Sequence, residues 1–187
     1  MSPVRAFVAI HLDDKTRDAV ARAQAKLKQC GAAVRWVKPE SMHLTLKFLG
    51  EIEMEAVPGV AAIMAEAVEG VEPFTLTFRG LNALPRIESP RVVYVGVGDE
   101  GSVLAPIADR LNDRLCALGV KRENRRFKAH LTIGRVKSRK KIEPLIELIR
   151  AEPDTDYGAV DVTRICLMRS ELKPTGAEYT VLHTADL

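Results

Sequence analysis

Apolar and polar positions along this chain follow two periods, and the changes of period mark out its elements. Arg5–Leu12 (RAFVAIHL) is a short apolar run rich in β-branched and aromatic residues, which predicts a strand. Asp13 or Asp14 then offers a helix N-cap. Ala19, Val20, Ala23 and Leu27 recur at helical spacing until Gly31 stops the helix. Val34–Val37 and Met42–Leu49 read as strands flanking Pro39-Glu40. A second helix is expected from Val57 to Glu69, with Pro58 in its first turn, Val60, Met64 and Val68 on one face, and Gly70 at its end. Phe74–Phe78 (FTLTF) alternates as a half-buried strand does.

The order then repeats. Arg91–Val97 is a predicted strand, and residues 102–118 a helix with Val103, Ile107, Leu111, Leu115 and Leu118 inward and Gly119 as its stop. His130–Val136 follows as a strand, Glu143–Arg150 as a short helix, and Val160–Met168 and Tyr179–His183 as closing strands. Phe7 lies 36 residues before His43, and Tyr94 lies 36 before His130. Each half reads strand, helix, strand bearing His-Leu-Thr, helix, strand. This is a two-fold internal repeat, approximately residues 4–80 and 91–168, within one domain spanning 1–187. It predicts an α+β bilobal fold, each lobe a mainly antiparallel sheet with helices on its outer face and the inner faces lining a shared central cleft.

The two repeated motifs are His43-Leu44-Thr45-Leu46 and His130-Leu131-Thr132-Ile133. Alternation along a strand puts His43 and Thr45 on one face and Leu44, Leu46 and Phe48 on the other; His130 and Thr132 likewise oppose Leu131 and Ile133. A single His-x-Thr carries little information. Two copies at one phase of a repeat bring two imidazoles and two hydroxyls to one cleft. Cleavage of a phosphodiester needs a neutral imidazole to take a proton from the attacking oxygen and a protonated one to supply the leaving oxygen. Histidine populates both forms near neutrality. Threonine hydroxyls can donate to the non-bridging phosphoryl oxygens, where charge builds up.

Charge strengthens this picture. The 187 residues carry a net +3, but Lys121–Lys141 contains ten Lys or Arg against one acid, Glu123. A basic segment in an otherwise acidic chain is the footprint expected for a phosphate-bearing partner, although a solvated surface run would look the same. With 47% hydrophobic and 28% charged residues, the composition is that of a globular protein. No apolar run reaches the roughly 20 residues that a membrane span needs, and no signal-type block follows the N-terminus. Cys30, Cys116 and Cys166 are odd in number and widely spaced, without a CxxC pair. They read as reduced thiols of a cytoplasmic protein, neither a disulfide framework nor a zinc site.

HLTLKFLG (43–50) and HLTIGRV (130–136) resemble the paired signatures of the 2H phosphoesterases. RAFVAIHL, RWVKPESMHLTLKFLG and FKAHLTIGRV resemble, within that superfamily, the RNA 2′,3′-cyclic phosphodiesterases, also called 2′-5′ RNA ligases. The resemblance covers nearly the whole chain. It implies a bilobal fold and hydrolysis of a ribose 2′,3′-cyclic phosphate to a 2′-phosphate without metal or cofactor. It implies His43 as proton donor and His130 as the acceptor that activates water. Thr45, Thr132 and Arg135 would bind the substrate phosphate, and Phe48 is the candidate nucleobase contact. Alternation by itself puts Arg135 on the apolar face, unless a twist or bulge near Gly134 returns it to the cleft, and it makes Phe48 a core residue. Ala129 departs from the proline that relatives commonly have there. The implied partners are RNA ends bearing cyclic phosphates, tRNA fragments among them, met by a monomer with no membrane attachment.

Other signals carry less weight. Trp36 reads as packing, and His11 and His183, lacking a threonine two residues on, as structural or surface residues. Gly96–Gly101 fits GxGxxG but places Asp99 and Glu100 where a pyrophosphate would sit, so it reads as a tight turn. No GxSxG, Walker A or HExxH is present. Any ligation would therefore be a reversal of phosphoester opening. Two competing classes remain: an RNA-binding module whose histidines only hydrogen-bond phosphate, and a 2H enzyme acting on a small nucleotide such as an ADP-ribose cyclic phosphate. The paired threonines favour catalysis, and the basic segment favours a polymer.

Overall fold

The computed structural model describes residues 3–99, 102–174 and 176–187. In chain order the elements are β1 (Val4–His11), α1 (Asp14–Lys28), β2 (Val34–Trp36), β3 (His43–Ile52), α2 (Val57–Val68), β4 (Phe74–Leu84), β5 (Val92–Asp99), α3 (Leu104–Arg114), β6 (His130–Val136), α4 (Ile142–Ala151), β7 (Asp156–Val162), β8 (Arg164–Lys173) and β9 (Gly176–Asp186). Asp13 is the cap of α1, its carboxylate accepting from the Thr16 amide at 2.8 Å. The helix expected over 102–118 ends at Arg114 and tightens into a 3₁₀ turn, Leu115–Leu118, closed by Gly119 in the left-handed region at φ 79°. Among the described residues no helix is long and apolar enough to cross a membrane.

Two antiparallel sheets form, in the orders β3-β1-β8-β9 and β2-β6-β5-β4-β7. The order β3-β1-β8-β9 is matched by β6-β5-β4-β7: a motif strand, the first strand of its own half, then the last strand of the other half. The expected bilobal pseudo-repeat is present, but the halves exchange parts. β4 pairs with β5 and β8 with β1. The helices cross as well: α1 and α4 pack on β7 and β4 of the second sheet, while α3 and α2 pack on β3 and β9 of the first. One continuous buried cluster, including Val20, Leu44, Met64, Leu76, Ile107, Leu131, Leu145 and Leu167, draws on both halves.

Two strand boundaries differ from the pattern. Residues 160–168 are two strands in different sheets, parted at Thr163. Val160 and Val162 alternate as a half-exposed strand, whereas Ile165–Met168 are buried on both faces. β4 runs on past Phe78 to Leu84, passing a bulge where Gly80, at φ 70°, lets the register shift.

A buried cation ties the second motif's approach loop to the first motif's strand. Lys47, 2% exposed on the back of β3, donates to Asn112 Oδ1 of α3 at 2.7 Å and to the Lys121 carbonyl at 2.9 Å, with Glu123 at 3.7 Å. Asn112 also bonds the backbone of Glu123 through both ends of its amide. Asn112→Ala therefore leaves a buried ammonium short of an acceptor, and should cost about 1–3 kcal/mol in urea unfolding. Lys47→Met, which removes the charge itself, should cost less.

Candidate active site

β3 is the margin of the first sheet and contacts β6 of the second. β2 pairs only with Gly134–Val136, leaving the His130 end of β6 uncovered on that side. The two motifs thus border one seam between the sheets. His43, Thr45, His130 and Thr132 are all half-buried, while Leu44, Leu131 and Ile133 are fully buried behind them. The alternation expected from sequence holds over these residues.

The two imidazoles are held alike. His43 Nδ1 lies 2.8 Å from the Ser41 carbonyl, and His130 Nδ1 lies 2.7 Å from the Lys128 carbonyl. A carbonyl only accepts, so each Nδ1 carries the hydrogen and each Nε2 is left for a ligand. Each ring also meets an aromatic ring from the first strand of its own half. Phe7 stacks on His43 with centroids 4.6 Å apart, and Tyr94 meets His130 edge-on at 5.5 Å. The 36-residue spacing seen in the sequence is this pairing. Lys128 Nζ lies 5.6 Å from the Tyr94 ring centre.

His43 is the more enclosed. Phe7, Ala9, Cys166 and Met168 form a small apolar floor separate from the main core, with Tyr179 packed against it. Tyr179 meets His43 edge-on at 5.1 Å. Burial holds the His43 imidazole down at about 4, His11 acting in the same direction and the Ser41 carbonyl opposing. At pH 7 this histidine is neutral in the free protein. His11 is its cross-strand partner, with Nε2 3.3 Å from Met168 Sδ; burial and then Arg17 lower its own pKa. His183 is half-buried in β9 opposite Leu167, and Trp36 packs against the core.

A bulge three residues after each histidine decides the next side chains. In β3 the register passes from Ala9↔Thr45 to Val8↔Lys47, leaving Leu46 unopposed; in β6 it passes from Tyr94↔Thr132 to Val93↔Gly134, leaving Ile133 unopposed. Two successive residues then point to the core, Leu46 with Lys47 and Ile133 with Gly134, and the fifth residue after each histidine turns outward. Arg135 is exposed accordingly. The core reading of Phe48 is overturned: it is 50% exposed, and its ring centre lies 6.2 Å from that of Phe7. Phe48, Leu49, Gly50 and residues 121–125 line an open groove of about 520 Å³.

The basic run does not act as one patch. Residues 121–128 approach the His130 end of β6, whereas 137–141 leave its far end, roughly 20 Å away at strand rise. There Lys141 reaches Gly31 beyond α1. Of the GxGxxG run, Gly96–Asp99 end β5, with Gly98 tight against Thr77; the Ser102 amide donates to the Asp99 carbonyl at 3.1 Å, as in a tight turn, and the Asp99 carboxylate accepts from the Leu104 amide at the start of α3, while Glu100 and Gly101 lie outside the described residues. Sequence reasoning does not single out Phe7, Tyr94 or Tyr179 as site residues. The repeat spacing carries the signal for the first two, and nothing local marks Tyr179. Among the described residues no group of three or more His, Cys, Asp or Glu is placed to hold a metal ion.

Two sheets that each carry a His-x-Thr strand along a common seam are the arrangement of the 2H phosphoesterase fold. The chain belongs to the LigT-like phosphoesterase family, whose model matches residues 10–94 and 95–179, one repeat each. It is 36% identical to the RNA 2′,3′-cyclic phosphodiesterase of Methanothermobacter thermautotrophicus over 95% of both chains. Identity to that of Archaeoglobus fulgidus is 36%, over 94% of this chain and 96% of the relative. Among solved structures, a Thermus thermophilus protein superposes with a TM-score of 0.79 at 30% identity, covering 98% of this chain and 97% of the other. Escherichia coli LigT complexed with 3′-AMP does so with 0.78 at 26%, covering 99% and 98%. The resemblance drawn from the two motifs is borne out.

Titration of the His43 ring protons by NMR should give a midpoint near 4 in the free protein. The unfolded chain takes up this proton near 6.5, so the contribution to stability is lost as pH falls from about 6.5 towards 4. Phe7→Ala opens the ring to water and should move the midpoint upward. A wild-type midpoint near 6.5 would show that the ring is not desolvated.

Proposed function

We propose that this protein hydrolyses the 2′,3′-cyclic phosphate at the 3′ end of RNA, leaving a 2′-phosphate and a free 3′-hydroxyl. The observation that carries the reading is the pair of imidazoles fixed in one tautomer, each with Nε2 free, on strands that border one seam. A water oxygen attacks phosphorus as the bond from phosphorus to O3′ breaks. Neutral His130 takes the proton lost by the water, and protonated His43 supplies one to O3′, so charge and protons balance. Thr45 and Thr132 donate to the non-bridging oxygens, and Arg135 offsets their growing charge. Phe48 offers a face to the terminal base. No step needs a metal ion. A 5′-hydroxyl in place of water would join two RNA ends through a 2′-5′ linkage. The three free cysteines suit a reducing compartment such as the cytoplasm.

His43 is neutral in the free protein near pH 7, so the donor's proton has to arrive with the substrate. The anionic phosphate favours the imidazolium and raises the His43 pKa as it binds. Binding is thereby coupled to proton uptake.

His43→Ala and His130→Ala should each lower kcat by roughly 10²–10⁴-fold on a 2′,3′-cyclic nucleotide, in buffer containing EDTA, with folding intact. Near-wild-type turnover in either variant would exclude this mechanism. In the wild type the acid limb of kcat/KM should lie near pH 4, because the lower macroscopic pKa of the free pair sets it. Thr45→Val and Thr132→Val should lower the plateau and keep that limb. An acid limb near 6.5 would separate catalysis from the buried histidine.

A further inference from the structure

A pair of like charges lies on the edge strand beside the second motif. Arg35 of β2 is the register partner of Arg135 of β6. Val34 and Trp36, its neighbours on β2, pack against the core over Gly134, so Arg35 projects from the opposite face with Arg135. Directly opposed residues on antiparallel strands have Cβ atoms about 4.5–5.5 Å apart, and like charges there are destabilising. Both arginines are exposed, and among the described residues neither has a carboxylate within ion-pair distance.

The pair faces the cleft. The 3₁₀ turn that follows β2, Pro39–Ser41, contacts β9, and Lys38 reaches the start of β9 at Gly176. Three residues further along β9 stands Tyr179, whose ring abuts His43. Arg135, Arg5 and Arg35 all favour the ionised form of the Tyr179 phenol, against the stronger opposite effect of burial. Positive charge from both sheets therefore reaches a phenol whose ring abuts the first histidine.

We propose that Arg35, with the Tyr179 hydroxyl, binds the backbone phosphate that precedes the terminal cyclic phosphate, Arg135 standing between it and the reacting group, so that the preferred substrate is an oligonucleotide of at least two residues. A second phosphate supplies the negative charge that the opposed arginines lack, and the planar guanidinium of Arg35 suits its oxygens. The inference rests on the hydrolytic reading given above and extends it to the length of the substrate.

The test compares a mononucleotide 2′,3′-cyclic phosphate, a dinucleotide ending in the same group, and that dinucleotide with an uncharged methylphosphonate at the internal link. The wild type should favour the charged dinucleotide by about tenfold in kcat/KM, chiefly through KM, and lose that preference with the methylphosphonate. In Arg35→Gln the ratio of dinucleotide to mononucleotide efficiency should fall towards one. Equal losses on both substrates, or a methylphosphonate as good as the phosphate, would overturn the proposal. Without substrate, Arg35→Gln should raise Tm at low salt, the gain shrinking as salt rises. A lowered Tm would mean that the protein itself holds Arg35, and would also overturn it. Wild-type turnover of the mononucleotide tests the underlying reading separately. Its absence would bring down both, whereas turnover with no dinucleotide preference would bring down this inference alone.

Discussion

An extra residue three positions after each motif histidine governs what enters the cleft. Strict alternation would send the fifth residue after each histidine to the core with Leu44 or Leu131. The bulges at Leu46 and Ile133 shift the phase by one, so that Phe48 and Arg135 face the same side as the histidines. The displaced phase has a cost on the other face, where a fourth residue must now be buried. The second motif meets it with Gly134, which lets Val34 and Trp36 of β2 close on the strand. The first meets it with Lys47, whose ammonium is buried and must find acceptors. One device thus yields an aromatic surface in one lobe and a cation in the other, together with two different back-side contacts.

Those back-side contacts tie the lobes together. Lys47 binds a helix and a loop from the second half of the chain, and β2, from the first half, completes the second sheet. Gln24 of α1, buried and donating to the carbonyls of Val37 and Ile133, stitches the same seam. With β4 and β8 also exchanged, the spacing between the two histidines is set by many bonds that cross between halves. General acid-base chemistry depends on such fixed spacing, because proton transfer falls off steeply with misplacement.

Most of the elements, their order and the facing of His43, Thr45, His130 and Thr132 were legible in the sequence, because each rests on a local period or a repeat spacing; the break at Thr163 between β7 and β8 was not. The exchange of strands was not. A repeat of strand and helix patterns reports what forms, while the pairing of β1 with β8 and of β4 with β5 is decided by packing between segments far apart. The bulges left a faint mark: Lys47 stands where alternation would put a cleft residue, yet a charged side chain there reads as surface until its buried acceptors are seen. Arg35 and Tyr179 were silent for a different reason. Each is unremarkable in its own strand and gains meaning only from what stands across the seam.

On the proposed mechanism, charge at the site is arranged so that the free protein holds the wrong protonation for catalysis and the right potential for binding. The Phe7–Tyr179 enclosure removes water from His43 and keeps it neutral, while Arg5, Arg35 and Arg135 leave positive charge at the rim. Among the described residues Arg35 and Arg135 have no carboxylate within ion-pair distance, and a protonated His43 would add to their repulsion. An anion reverses both terms: it relieves the arginines and, at the imidazole, makes the charged form favourable. On that mechanism the proton needed by the leaving oxygen is carried only when a phosphate is bound. An empty cleft with a permanently charged His43 would instead attract any passing anion, and a neutral one without arginines would attract none.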